Sequence, residues 1–240
     1  MELTERELNS LVADVDDAHH ESMHTLREEL EEVHLGETGR KIQSARRRFL
    51  KQAGAGAALV GVAANSSWLM GRAAAASRQA GDPPDIGAAQ FAAGVELAAV
   101  GAYTAAAGRG ILTDPALSLA TTFAGHHQAH AATFNALLTG AGAATNDTAN
   151  QDLLDQFGPM IEAAADAPAL LAIALTLEEA AASTYYAALG VLTIPDAALA
   201  VAQILPVEAQ HATVLATALG KTADEINPPF ITEALALPLG

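Results

Sequence analysis

Six residues carry the chemistry available to this chain: Glu96, His127, His130, Glu178, Glu208 and His211. After residue 76 the chain has four histidines, His126, His127, His130 and His211, all within segments 126–137 and 208–218. Helical residues three apart project about 60° from each other, so Glu208 and His211 face one space. His127 and His130 make a similar pair, and His126 with His130 offers an i,i+4 alternative. Glu96 and Glu178 stand in runs of Ala, Val and Leu, where an unpaired ionised carboxylate costs several kcal/mol. After residue 76 the bases are Arg78, Arg109 and Lys221, too few to neutralise such groups. A divalent cation bound by carboxylate oxygen and imidazole nitrogen answers the need. Cysteine is absent, which excludes thiolate ligands and nucleophiles.

The elements that position these residues are written twice. Segment 95–103 (Val-Glu-Leu-Ala-Ala-Val-Gly-Ala-Tyr) matches segment 177–185 (Leu-Glu-Glu-Ala-Ala-Ala-Ser-Thr-Tyr). Glu96 stands over Glu178 and Tyr103 over Tyr185, while His127–Leu137 aligns with Glu208–Ala218 and puts His130 over His211. The step from the first Glu to the second-helix His is 34 residues in one half and 33 in the other. Four helices are expected from residue 85 onward. Thr113-Asp114-Pro115 opens the second helix, Gly140 and Gly142 end it, Pro168 opens the third, and Ile194-Pro195-Asp196 separates third from fourth. Gly220 closes the fourth. The Asn146–Asp166 stretch reads as a crossover with a short helix from Gln151 to Phe157. Tyr103 and Tyr185 could donate a hydrogen bond to a ligand or carry an electron, but two turns from the carboxylates they read rather as core aromatics with a wet tip. Glu179 points about 100° from Glu178 and is expected toward solvent or beside a ligand, and Glu162 and Asp166 on a solvated face.

One Glu from each of two helices, with Glu-x-x-His from the other two, resembles ferritin-like di-iron and di-manganese carboxylate proteins. Leu-Thr-Leu-Glu178-Glu179 with Tyr185, and Glu208-Ala-Gln-His211 with Leu215, look like the ferritin-like domains of exported bacterial proteins. The resemblance implies an all-α, ferritin-like four-helix bundle over residues 85–225, with a long crossover between its second and third helices. It implies Glu96 and Glu178 as terminal carboxylate ligands, Glu208 as a bridge, and His130 and His211 as nitrogen ligands. At the position of the second bridging carboxylate this chain has His127. A histidine cannot bridge through two oxygens, so the metal count stays open between one and two. Iron or manganese is implied, and zinc stays open. The function implied is metal binding with oxidase or ferroxidase chemistry, that is, a metal-dependent oxidoreductase. A non-catalytic metal-binding or stress- and desiccation-associated bundle is the alternative, and a degenerate bundle acting in assembly or adhesion a third reading.

Outside the bundle the charge falls into zones. The chain carries a net charge of −16, and phosphate binding needs a basic face, so no nucleic-acid partner is expected. Residues 1–44 hold 12 acids and 4 bases, whereas residues 45–76 hold no acid and 5 bases. Within the basic zone Arg46-Arg47-Arg48-Phe49-Leu50-Lys51 precedes a weakly apolar Ala/Gly/Val stretch. This resembles a twin-arginine export signal, departing only at Ala45. It implies the twin-arginine machinery as a partner and a periplasmic, cell-surface or extracellular destination, membrane-tethered where the signal is uncleaved. Cleavage is expected near Ala73–Ala76, ahead of a linker at 77–84. The acidic extension (Leu8, Leu11, Val12, then Met23, Leu26, Leu30, Val33) fits an amphipathic helix or helical hairpin. Its His19, His20, His24 and His34 are expected on a solvated charged surface. Residues 226–240 form a Pro-containing tail. Ala-rich helices with few charges suit a homo-oligomer, and nothing in the sequence points to a storage shell.

Overall fold

Alanine lets the helices lie close: Ala93, Ala182, Ala200 and Ala212 are fully buried between neighbours. Ala also loses no side-chain entropy in a helix, so one residue type serves both local propensity and packing. The computed structural model describes residues 4–32, 84–190 and 192–222. The export-like segment, the linker, the C-terminal tail and His34 lie outside the described residues.

The described residues form six helices and no strand: α1 (Glu5–Glu32), α2 (Pro84–Gly108), α3 (Asp114–Gly140), α4 (Gln151–Ala163), α5 (Ala167–Leu189) and α6 (Pro195–Ala218). The expected all-α fold holds, with α2, α3, α5 and α6 as the four-helix bundle. α2 packs along α3 and α5 along α6, each pair joined by a short turn. Tyr103 of α2 meets Glu178 of α5, and Tyr185 of α5 meets Glu96 of α2. That crossing makes α2 and α5 antiparallel, so the chain must travel the bundle's length between α3 and α5.

The crossover does this beside α2. Asn150 N–H donates to Gly94 O at 2.8 Å, and Leu154 lies against Gly101. A Cβ on Gly94 would stand 2.9 Å from Asn146 Nδ2 and 3.3 Å from Thr148 O, so glycine leaves room for the strap. α4 runs past the expected end at Phe157, through Pro159, to Ala163. Phe157, Ile161 and Ala164 are buried with Ala102 and Leu170, and that apolar contact extends the helix. Glu162 and Asp166 are exposed, as expected, and Asp166 has a task as well: its side chain accepts from Ala169 N–H and caps α5. Arg109 donates to the carbonyls of Ile161, Glu162 and Ala164, closing the C-terminus of α4 with a cation. Asp85, buried at the start of α2, accepts from Thr193 N–H at 2.7 Å and from Ile194 N–H, fixing the entry to α6.

α1 is a single helix, and it docks on the bundle against α3 and α6. Val12 and Val15 join a core with Leu119, Phe123 and Leu215. Leu26 is buried, and Ser22 Oγ–H donates to Gln203 Oε1 at 3.1 Å.

Candidate metal centre

Glu96, His127, His130, Glu178, Glu208 and His211 converge at mid-height of the bundle, each at most 1 % exposed. Above and below lie apolar layers. One holds Tyr103, Leu119, Phe123, Leu175 and Leu215, and the other Phe134, Tyr185, Val201 and Ile204. These layers exclude water, which lowers the local dielectric and strengthens every charge interaction between them.

Ligand atoms fall into two sets within 4.8 Å: Glu96, His127, His130 and Glu208, and then His127, Glu178, Glu208 and His211. Glu96 and Glu178 are thus terminal to different sets, and Glu208 is common to both. His127 is also common to both, because its two ring nitrogens face opposite ways. Its Nδ1 is 2.7 Å from Glu96 Oε2 and its Nε2 is 3.0 Å from Glu178 Oε1. Two nitrogens at opposite corners of one ring stand where two carboxylate oxygens were expected.

His130 Nδ1 approaches Glu208 Oε1 at 2.8 Å, and His211 Nδ1 lies 3.3 Å from Glu178 Oε2 and 3.6 Å from Glu208 Oε2. Yet both Glu208 oxygens and both His130 nitrogens lack an aligned hydrogen-bond partner. Lone pairs that crowd one space without pairing match the demand of a cation for several donors, so these residues fit a metal.

Charge couples the group. Burial alone would raise Glu96, but His130 and His127 outweigh it and hold its carboxyl at about 2. His127 is pulled down by burial and lifted further by Glu178 and Glu208, ending well above its ordinary value. His130 follows the same logic with Glu96 and Glu208 and reaches about 9. Glu178 is held well below the usual carboxylate range by His127 and His211, against burial.

The two tyrosines do more than fill the core. Tyr103 O–H donates to Glu178 and Tyr185 O–H to Glu96, each across to the other repeat. Burial and the neighbouring Glu178 or Glu96 keep both phenols protonated, as donors must be. Glu179 is half-buried and outside both ligand sets.

α1 adds residues that the expected solvated surface did not include. His20 and His24 are exposed, but His19 is 4 % exposed and stacks on His126 with ring centroids 3.8 Å apart. Asp16 Oδ1 lies 2.9 Å from His126 Nε2, and His126 Nδ1 lies 2.9 Å from His211 Nε2. His126 therefore belongs to neither ligand set but touches a member of one. The signal for His19 was present in register: Val12, Val15, His19 and Leu26 share one helical stripe.

Compared with protein-family models, residues 84–221 match a ferritin-like domain. Searches of curated proteins and of solved structures gave no match.

Proposed function

Because the chain belongs to the ferritin-like domain family, we propose that its buried centre binds iron or manganese and supports oxidase chemistry with oxygen or peroxide. The observation that carries this reading is Glu208 with His130: buried charge and lone pairs at 2.8 Å, with no aligned hydrogen bond to settle them. Without metal His130 can hold a proton beside Glu208, but the pair leaves its remaining donors and acceptors without aligned partners, and a cation ligated by both would satisfy them. Glu96, His130 and Glu208 would hold one position, and Glu178, Glu208 and His211 the other. A neutral imidazole has one lone pair, so His127 serves one position at a time. When bound, the metal supplies the change of oxidation state. The chain's part is to hold ligands, to fix both terminal carboxylates through Tyr103 and Tyr185, and to keep the site dry.

One observation favours a non-catalytic metal-binding bundle instead. His127, as a cation, pairs with both Glu96 and Glu178 and satisfies part of the site without metal. Elemental analysis of the full chain folded in its native cytoplasm, followed by Fe(II) oxidation in air, separates the readings. Metal with turnover supports the oxidase, and metal without it supports the bundle. Less than about one metal per chain, at ligands that should bind well below micromolar, sinks both.

Export by the twin-arginine route, to the periplasm, cell surface or exterior, is part of the proposal and rests on Arg46–Lys51. Replacing Arg46 and Arg47 by Lys should strand the protein in the cytoplasm, and unaltered export would refute the signal.

A further inference from the structure

We propose that Asp16, on the N-terminal helix α1, is a positioning residue that sets the tautomer of His211 through His126 and so prepares Nδ1 of His211 for metal. The inference rests on the metal reading above. A carboxylate oxygen only accepts, so at 2.9 Å from Asp16 Oδ1 the His126 Nε2 carries the proton. A neutral ring then leaves His126 Nδ1 as an acceptor. Its neighbour at 2.9 Å, His211 Nε2, must donate. The remaining nitrogen of His211, Nδ1, faces Glu178 and Glu208 with its lone pair available in the loaded site.

Each link is held independently. His126 is 2 % exposed and packed between His19 and Phe123. His211 is fully buried and stacks on Phe123 with centroids 3.9 Å apart. His20 Nδ1 hydrogen-bonds the backbone carbonyl of Asp16 at 2.8 Å and lies 3.3 Å from the same Oδ1. The matched ferritin-like segment begins at residue 84, so Asp16 reaches the centre from outside it. Position 130, the repeat partner of 211, has no such chain, because neither nitrogen of His130 has an aligned partner. The two metal positions are therefore unequal in their outer contacts, and the one at His211 is the better prepared.

The test uses the full chain with Zn(II) and histidine side-chain ¹⁵N NMR. In the wild type, His211 should show a protonated Nε2 and a metal-bound Nδ1, and His126 a protonated Nε2. Asp16→Ala should shift His126 away from that tautomer and weaken Zn(II) binding by about 10- to 100-fold, the usual size for a lost outer contact. Asp16→Asn, whose amide oxygen still accepts, should keep the His126 tautomer and most of the affinity. Amide exchange of α1 should stay unchanged in both variants, which separates positioning from undocking. Asp16→Ala with wild-type tautomers and affinity, or with loss explained by an undocked α1, overturns the relay alone. A wild type that takes up no Zn(II) overturns the metal reading and the relay with it.

Discussion

At the scale of single residues, the proposed metal centre must give up protons to load. His127 and His211 sit above their ordinary values and His130 reaches about 9, each pulled down by burial and lifted more by facing carboxylates. His130 therefore holds a proton near neutrality and must lose it to ligate, and the upward shifts of His127 and His211 act in the same sense. Metal affinity should therefore rise with pH up to about 9, by as much as about tenfold per pH unit for each proton displaced. Calorimetry in buffers of different ionisation enthalpy should read proton release; equal heats in all buffers would refute it. The tyrosines give a second expectation. Tyr103→Phe removes a donor from a buried carboxylate and should destabilise the metal-free chain by about 1–3 kcal/mol in urea unfolding. That these six residues would meet in the core was legible, because a carboxylate in an alanine run has few explanations. Which carboxylate each tyrosine meets was not, since their partners lie 75 and 89 residues away and only the antiparallel packing of α2 on α5 joins them.

At the scale of elements, α1 is held by chemistry that depends on pH. His19 is lowered to about 2, first by burial and then by His126, His130, His211 and its neighbour His20. Asp16, on the same helix, is committed to His126 and does not offset these effects. A histidine whose docked value lies below its free value of about 6.5 takes up protons more readily when undocked. The docked state thus weakens as pH falls below about 6.5, by about 1.4 kcal/mol per unit from His19, until the docked value is reached. Amide exchange of residues 5–32 should accelerate between pH 7 and 5 while α2 and α5 hold; uniform protection would contradict this. A second expectation belongs to α4: Arg109→Ala leaves three carbonyls without their cation and should cost about 1.5–3 kcal/mol. Helix ends were readable from Pro115, Gly142 and Gly220. The docking of α1 was not, because a histidine on an apolar stripe looks the same whether it meets water or another ring.

At the scale of the whole molecule, the duplication is nearly symmetric and breaks at one position. Glu96 answers Glu178, Tyr103 answers Tyr185, His130 answers His211, but His127 answers Glu208. His127→Glu restores the matching carboxylate and should raise bound Fe(II) or Mn(II) from about one to about two per chain, read by elemental analysis. An unchanged stoichiometry would show that His127 does not set the count. Metal at 100 times its dissociation constant should add about 2.7 kcal/mol to stability, so a chelator should lower the melting temperature by several degrees.

The order of the helices along the chain has a consequence for that assembly. α1 ends at Glu32 and α2 begins at Pro84, so the covalent link between Asp16 and the centre it serves runs entirely through residues 33–83. A single cut there, as signal removal near Ala73–Ala76 would make, turns an intramolecular contact into a bimolecular one. The helix then stays on the bundle only as far as its own dissociation constant permits, having lost the high effective concentration the tether provided. A peptide of residues 4–32 added to the cut protein should restore what the cut removed, in proportion to its concentration.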